Sequence, residues 1–289
     1  MFGTTSAGGS FNAGTIFKLR PDGLGFTVVR HFPASGDCRS PQAPLLKASN
    51  GRIYGTANTG GGFGFGGVFS FKPDGTDYAI LTGFNVASEI PRQPLAGVIE
   101  GPGGVLYGCT ELGGSADKGA VFRVTTNGVV TVLKSLGLVA GGAEQPNGNL
   151  LLASDNRLYG TAALGGSAGF GCLFRLGLDG SNFEIPHSLG AVANDAREPR
   201  SGLLEGPFGS VLGTSRIGGS AGQGAIFQSN FDGTGNVVLH NFANVADNGA
   251  RSRSPLVAAG GGFYYGATFG GGPTDQGVVF RMFIPTFGR

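Results

Sequence analysis

Six glycines recur at a near-constant interval along the chain, and this period constrains the fold more than any other feature. The steps between them are 52, 53, 52, 53 and 53 residues. A fixed period of this length indicates a repeat architecture, in which one small unit recurs and neighbouring units bury each other's apolar faces. The repeat glycines are Gly3, Gly55, Gly108, Gly160, Gly213 and Gly266.

Each copy of the repeat contains four short segments with the composition of β-strands. An apolar run comes first, followed by the segment that holds the repeat glycine. The third segment carries a Gly-x-x-Phe motif in every copy, and the fourth is rich in β-branched and aromatic residues. Such runs, bounded by Gly, Asn, Asp and Pro, are typical of strands. The phenylalanines of the third segments are Phe17, Phe69, Phe122, Phe174, Phe227 and Phe280.

The connections between the segments favour the same interpretation. Asx-Gly pairs such as Asp22-Gly23 and Asp179-Gly180 join the third and fourth segments, and they suit tight hairpins. No segment shows a sustained helical period. Four antiparallel strands per unit, repeated about six times, predict an all-β chain that forms a single β-propeller domain over residues 1–289 with about six blades.

The pattern is incomplete at both ends of the chain. The amino end fits strands two to four of a blade, and the carboxyl end fits strands one to three. We therefore expect incomplete terminal blades, which either close a six-bladed ring side by side or belong to a longer repeat array. Residues 1–5 already fit the repeat, so we expect any export signal to have been removed or to lie upstream.

Composition excludes several function classes. With 20 basic and 18 acidic residues the net charge is +2, which gives no positive field for nucleic acid. No stretch approaches the roughly 18 to 20 apolar residues that span a bilayer, so we expect no membrane insertion. We expect a monomer without a cofactor. The cysteines, Cys38, Cys109 and Cys172, share no metal-ligand spacing and are interpreted as small buried thiols, with a disulfide or metal role as the alternative.

The unit over residues 94–128 resembles a known repeat family. It contains Leu106-Tyr107-Gly108 and Val121-Phe122, and equivalent motifs recur in the other copies. These motifs are similar to the Gloeobacter/Verrucomicrobia tandem repeat (GloVer repeat) of choice-of-anchor proteins, and the likeness covers nearly the whole chain. The resemblance implies an exported or cell-surface bacterial protein with varied anchoring signals, and it supplies no catalytic residues.

The residues form no catalytic constellation. His187 and His240 occupy one position of the fourth strand, where other copies carry Arg30, Thr82 or Lys134, so we interpret it as a solvated strand face. The Gly-rich loops precede strands rather than helices, which disfavours a phosphate cradle. No carboxylate spacing suits calcium, and no Ser or Thr has an identifiable base partner. We therefore expect neither a catalytic residue nor a metal site.

One polar set stands out in the connection that precedes the first strand of each blade. A proline lies 14 residues before the repeat glycine in four copies, and Ser252 replaces it in the fifth. We expect the side chains just before this position to ring the mouth of a central channel, where arginines could bind carboxylates or sugar hydroxyls. The alternative is that Arg and Glu of adjacent blades simply pair. The candidate ligand-binding residues are Arg39, Arg92, Gln93, Glu144, Gln145, Arg197, Glu198 and Arg251.

Three functions fit these observations. The first is a non-catalytic, exported propeller that acts as a binding or adhesion module for a glycan or protein at the bacterial surface. The second is a structural spacer within a larger surface protein. The third is a carbohydrate-active hydrolase or lyase, which would need clustered carboxylates or histidines with perturbed pKa values. Polar variation confined to the loops of the repeat favours the binding module.

Overall fold

Antiparallel β-strands make up almost all the regular structure of the computed structural model, which describes residues 1–85, 90–243, 245 and 248–285. Within these residues the only helical element is a 3-10 turn, Pro102–Gly104. The strands form six blade sheets, which confirms the predicted all-β propeller class. The chain divides into two compact units, Met1–Leu136 and Gly137–Arg289. The single domain over residues 1–289 and the closure of a ring stay predictions.

Unit 1 contains blades 1 to 3. Blade 1 has three strands, which correspond to the second, third and fourth strands of the repeat, and blades 2 and 3 have four each. The strands of blade 1 are Phe2–Thr5, Thr15–Lys18 and Thr27–His31. Those of blade 2 are Leu46–Lys47, Ile53–Ala57, Gly67–Phe71 and Ala79–Gly83. Those of blade 3 are Ile99–Glu100, Leu106–Thr110, Ala120–Val124 and Val130–Ser135.

Unit 2 contains blades 4 to 6. Among the described residues blade 6 has the first three strands of the repeat, so the prediction of incomplete terminal blades is confirmed at both ends. The strands of blade 4 are Leu151–Leu152, Leu158–Ala162, Cys172–Leu176 and Glu184–Ser188. Those of blade 5 are Leu204–Gly206, Ser210–Thr214, Ala225–Asn230 and Val237–Asn241. Those of blade 6 are Val257–Ala258, Phe263–Gly271 and Val279–Phe283.

A short two-stranded ribbon accompanies each of blades 2 to 6. The connection that enters the blade pairs with the chain that follows the blade's second strand. We term the end of a blade at which this ribbon lies its ribbon end. The ribbons are Cys38–Arg39 with Thr59–Gly60, Pro91–Arg92 with Leu112–Gly113, Ala143–Glu144 with Leu164–Gly165, Ala196–Arg197 with Ile217–Gly218, and, in blade 6, Gly249–Ser252 with the end of Phe263–Gly271.

The repeat glycine lies directly opposite the repeat phenylalanine on the neighbouring strand. This register is the same in all six blades, from Gly3 opposite Phe17 to Gly266 opposite Phe280. A methyl group on any of the six glycines would lie within 3.0 Å of the ring. Real side-chain carbons do not approach so closely. The period of the sequence therefore reflects a steric requirement, since only glycine leaves room for the ring above its backbone.

Aromatic side chains also join neighbouring blades within each unit. The residue just beyond the fourth strand of one blade meets the repeat phenylalanine of the next. In unit 1, the ring centroids of Phe32 and Phe69 are 5.5 Å apart. In unit 2, those of Phe242 and Phe280 are 5.4 Å apart. Such pairs contribute about 0.5–1.5 kcal/mol beyond the burial of their area, so the repeat phenylalanine stabilises both its own blade and the interface before it.

A threonine next to the repeat glycine adds a hydrogen bond between blades. Thr56 Oγ1 donates to the carbonyl oxygen of Ala96 at 2.8 Å in unit 1. Thr161 Oγ1 donates to the carbonyl oxygen of Ser201 at 2.9 Å in unit 2. Both hydroxyls are buried, so each bond satisfies a backbone carbonyl that water cannot reach easily. The bond fixes the connection that leads into the next blade against the second strand of the previous blade.

The predicted hairpin turns are confirmed. The Asp22 carboxylate accepts the N–H of Leu24 at 2.9 Å, and the Asp232 carboxylate accepts that of Thr234 at the same distance. The glycine between them, such as Gly23 with φ of 81°, adopts the left-handed conformation that the turn requires. The Asx-Gly motif therefore sets the register between the third and fourth strands.

We predict that Gly213→Ala destabilises the protein, because the added methyl group would overlap the ring of Phe227. Overpacking of this kind lowers the free energy of unfolding by about 1–3 kcal/mol. Phe227→Ala alone should cost about 3–5 kcal/mol. The double variant should cost little more than Phe227→Ala, since the ring that clashes is gone. Denaturant unfolding of the four proteins measures this coupling, and strictly additive losses would contradict the steric explanation.

Candidate binding site at the ribbon ends

The structure places the eight sequence-predicted residues at ribbon ends. Three lie in unit 1 and five in unit 2, so each unit presents its own set. Arg39, Arg92, Glu144 and Arg197 each end the entering strand of a ribbon, while Arg251 lies inside the longer ribbon strand of blade 6. Gln93, Gln145 and Glu198 directly follow a ribbon strand. The arrangement of these residues around a channel mouth stays a prediction.

The residue just before the proline position has a left-handed backbone in every copy. Its φ lies between 48° and 58°, a conformation uncommon for residues other than glycine. In unit 2, Glu198 N–H donates to the carbonyl oxygen of Phe170 in the preceding blade at 2.8 Å. Arg216 N–H donates to the Glu198 carbonyl oxygen at 3.1 Å. We term this residue the clasp residue; the five are Ser40, Gln93, Gln145, Glu198 and Arg251.

The clasp is made by backbone atoms, so its geometry does not depend on the side chain. In unit 1, Ser40 N–H donates to the carbonyl oxygen of Ala13, and Gln93 N–H donates to that of Phe65, both at 2.9 Å. In unit 2, Arg251 N–H makes the equivalent bond to Gln223 at 2.7 Å. Side chains as different as Ser, Gln, Glu and Arg are therefore presented from one fixed backbone. Rigid scaffolds that carry variable polar side chains are typical of binding surfaces.

Two of the predicted arginines pair with an aspartate of their own blade. Arg92 Nη2 donates to Asp117 Oδ1, and Arg251 Nη2 donates to Asp275 Oδ1 at 2.9 Å. The pKa of each carboxyl lies below its usual range, mainly because a backbone N–H donates to the carboxylate and also because of the arginine. These two arginines are therefore paired, but with an Asp of the same blade, so they do not form the predicted alternative of Arg–Glu pairs between adjacent blades.

The other two predicted arginines have different contacts. Arg39 Nη1 donates to the carbonyl oxygen of Ala34 at 2.9 Å. The Arg197 guanidinium lies over the ring of Phe170, 4.4 Å from its centroid. The Nε of both arginines is buried and has no hydrogen-bond partner within the described part of the chain. Their guanidinium groups are therefore positioned by the ribbon but are not neutralised by an acidic partner in that part.

Sequence reasoning missed three arginines that gather around Glu198 in unit 2. Arg216 donates from Nε and Nη2 to Glu198 Oε2 at 2.8 and 2.6 Å, and Arg200 Nε lies 3.6 Å from the same oxygen. Partial desolvation lowers the pKa of Arg253, the charges of Arg200, Arg216 and Arg251 lower it further, and the charge of Glu198 opposes them. We term Arg200, Arg216 and Arg253 the arginine cluster.

The repeat alignment did contain a signal for this cluster. Arg200 and Arg253 directly follow the proline position, where the other copies carry Gln42, Leu95 and Asn147. Arg216 follows the second strand, where other copies are neutral or acidic. Positive charge at these positions is thus confined to the last two copies. The position after the proline and the position after the second strand lie at the same end of a blade only because the ribbon pairs their segments. Their spacing in the sequence therefore did not predict the cluster.

The interpretation of the histidine position as a solvated strand face is wrong for His187. Its side chain is only 19% exposed, and its Nε2 lies 3.8 Å from Asp195 Oδ2 at the edge of a pocket of about 370 Å³. Burial lowers the pKa of His187, while the Asp195 charge partly opposes this shift. In blade 1, Arg30 pairs with Asp37 at the equivalent positions. The joint occurrence of a basic residue with Asp in these two copies was the missed signal.

The cysteines fit the buried-thiol interpretation. All three are buried. Burial raises the pKa of each thiol to about 12, so the groups are neutral and poorly nucleophilic at neutral pH. Within the described residues no group of three or more His, Cys, Asp or Glu side chains could hold a metal ion.

The family follows from a match that covers the chain. A family model described as the Gloeobacter/Verrucomicrobia repeat matches residues 1–151 and 138–288. The chain belongs to this repeat family. Each match spans about three of the 52-residue units. A comparison with curated proteins finds no match. No helix in the described residues is long and apolar enough to cross a membrane.

Solved structures similar to this member of the Gloeobacter/Verrucomicrobia repeat family show the fold alone. The nidogen/laminin complex contains a chain with 14% identity and a TM-score of 0.55, over 93% of this chain and 84% of that one. A putative TolB from Agrobacterium tumefaciens has 14% identity and a TM-score of 0.53, over 95% and 84%. The gluconolactonase XC5397 from Xanthomonas campestris has 13% identity and a TM-score of 0.52, over 87% and 74%.

We predict that His187 makes stability depend on pH in the acid range. Because its pKa is lowered in the folded protein, the unfolded chain takes up the proton first as the pH falls. The contribution of neutral His187 is complete above about pH 6.5, the ordinary histidine value, and decreases below it. His187→Gln should therefore lose less stability than the wild type between about pH 7 and pH 5.

Urea unfolding at both pH values measures this difference. His240→Gln is the matched control, since His240 occupies the same repeat position but is exposed. The control should keep the wild-type pH dependence. An unchanged pH dependence in His187→Gln would contradict the prediction, because it would show that folding does not lower the pKa of His187.

Proposed function

We propose that this member of the Gloeobacter/Verrucomicrobia repeat family is a non-catalytic binding module that recognises a glycan or protein ligand through the ribbon ends of its blades. The observation that carries the proposal is the clasp residue, whose left-handed backbone recurs in five copies while its side chain changes from Ser to Gln, Glu and Arg. A structural spacer has no need for such variation at one end of each blade. The family also supports a place at the bacterial surface.

The chemistry of the ribbon ends supports recognition rather than catalysis. Arg39 and Arg197 present guanidinium groups from fixed positions, which suits bidentate contacts to carboxylates or hydroxyl-rich ligands. The buried, neutral thiols supply no nucleophile. His187 and Asp195 lie near one pocket, but the side chains around them are mainly apolar groups and amides. A ligand would thus meet groups that donate hydrogen bonds without changing protonation.

A glycan array that contains neutral and acidic oligosaccharides, together with extracellular matrix proteins, tests the proposal. The wild type should bind at least one probe. Two double variants should then show which unit carries the binding surface. They are Arg39→Gln with Arg92→Gln in unit 1, and Arg197→Gln with Arg251→Gln in unit 2. At least one pair should weaken binding tenfold or more, which corresponds to about 1.4 kcal/mol.

Arg20→Gln with Arg281→Gln is the matched control, because it removes the same charge from residues outside the ribbons. This variant should bind as the wild type does. Absence of binding to every probe by correctly folded protein would favour the structural spacer. Binding that neither pair of ribbon-end changes affects would place the ligand elsewhere on the blades and contradict the proposal.

A further inference from the structure

A buried chain of hydroxyl groups joins blades 5 and 6 in unit 2. Ser201 Oγ and Thr214 Oγ1 are 2.9 Å apart, and Ser252 Oγ donates to Thr214 Oγ1 at 3.1 Å. The exposed fractions of these residues are 2% or less. Ser252 is the residue that replaces the repeat proline, and only its hydroxyl can complete this chain. The departure from the repeat therefore has a structural consequence, which is a firm link between three backbone segments.

Each of these three segments carries one member of the arginine cluster. Arg200 precedes Ser201, Arg253 follows Ser252, and Arg216 lies two residues after Thr214. Thr214 Oγ1 also donates to the carbonyl oxygen of Ser254 at 3.1 Å. Thr214 therefore contacts both residues that flank Arg253, Ser252 and Ser254. Since the hydroxyl chain fixes the segments, it also fixes where the three guanidinium groups emerge. Such preorganisation is expected where several like charges must act on one ligand.

The cluster carries positive charge that the described part of the chain does not neutralise. Around it the charged groups comprise Arg200, Arg216, Arg251 and Arg253 against Glu198 and Asp275, a local net charge of +2. No described acidic side chain forms an ion pair with Arg253, and the three other arginines repel it. The side chains of Arg200 and Arg216 are each 30% exposed, although Arg200 Nε is buried and Arg216 donates to Glu198. A like-charge group of this kind lowers stability unless an anion binds to it.

An aromatic ring completes the surface. Phe269 occupies in blade 6 the repeat position that Arg216 occupies in blade 5. The ring is 63% exposed, and the guanidinium of Arg253 lies 4.9 Å from its centroid. Two neighbouring blades thus present three arginines and one aromatic face from equivalent positions. An exposed ring beside charged donors suits a ligand that has both apolar C–H faces and carboxylates.

The equivalent position one blade earlier is also polar. Asn147 takes the place of Arg200 and Arg253 in blade 4, and its side chain is buried with neither amide atom hydrogen-bonded within the described residues. Its neighbour Gly148 approaches the backbone of Ser201 so closely that a methyl group would not fit. The free amide therefore lies on the segment next to the cluster.

We infer that the arginine cluster of unit 2 binds the carboxylates of an acidic oligosaccharide, with Phe269 beneath a sugar ring and Glu198 holding Arg200 and Arg216 in place. The inference rests on the proposed binding function and names its ligand class. Arginine forms bidentate hydrogen bonds with carboxylates, and two such contacts fix both the position and the orientation of the sugar. No covalent step is involved.

Trigalacturonic acid is a suitable probe, because its methyl ester has the same rings without the charges. Calorimetric titration of the full chain should show at least tenfold tighter binding of the acid than of the ester. Binding of the acid should weaken as the salt concentration rises. Arg253→Gln should weaken it at least fivefold without affecting folding, since Arg253 lies on the surface and forms no described ion pair. Arg253→Lys should retain part of the affinity, and Phe269→Ala should lose affinity for the acid.

Three control measurements make the test specific. Arg20→Gln, which removes an equal charge far along the chain from the cluster, should bind as the wild type does. Sodium sulfate and a hexaglutamate peptide should bind much more weakly than trigalacturonic acid. Equal binding of the peptide would assign the cluster to an acidic protein and overturn the saccharide inference. Equal binding of the ester would overturn the role of charge but would leave the proposed binding function intact.

Absence of binding by every acidic probe would also overturn the inference. The glycan array then distinguishes the two failures. If neutral glycans or matrix proteins still bind and ribbon-end variants reduce that binding, the binding module stands with another ligand class. If nothing binds there either, the proposed function fails together with the inference.

Discussion

The contact between the repeat glycine and the repeat phenylalanine is the constraint on which the rest of the structure depends. In every blade the ring lies above the glycine backbone of the neighbouring strand, where a methyl group would not fit. In blades 2, 3 and 6 the same phenylalanine also meets the aromatic residue that leaves the preceding blade, as Phe69 meets Phe32. One steric pair therefore sets both the packing within a blade and the contact with the blade before it. Because the pair recurs every 52 or 53 residues, so does the blade.

The clasp builds on this packing. Once neighbouring blades are fixed, the backbone of the clasp residue can bond to both of them, and its side chain is left free to vary. Variation then changes the chemistry of a ribbon end without changing its shape. In unit 2 the variation extends to the proline position, where Ser252 replaces the repeat proline. The hydroxyl of Ser252 joins three segments that carry arginines. A local exception to the repeat thus creates the most unusual surface of the unit.

The sequence predicted the elements of the fold well because their causes are local and periodic. Strand positions followed from runs of apolar, β-branched and aromatic residues bounded by Gly, Asn, Asp and Pro. Hairpin turns followed from pairs such as Asp232-Gly233, and the structure contains the hydrogen bond of this turn. The arginine cluster was not predicted, because it depends on which loop each ribbon brings to a blade end. His187 was misjudged for a related reason, since its environment is set by Asp195 across a connection. A single sequence contains little information about contacts between different loops.

Amide hydrogen exchange at the clasp residues tests most directly whether the backbone is independent of the side chains that it presents. The measurement compares the wild type with a variant that combines Glu198→Gln and Arg251→Gln, which changes the side chains of two clasp residues. We predict that the amides of Glu198 and Arg251, which donate to Phe170 and Gln223, are protected equally in both proteins. Protection that disappears in the variant would show that the side chains of the clasp residues hold the backbone in place, and would contradict the view that the clasp is a scaffold for variable recognition.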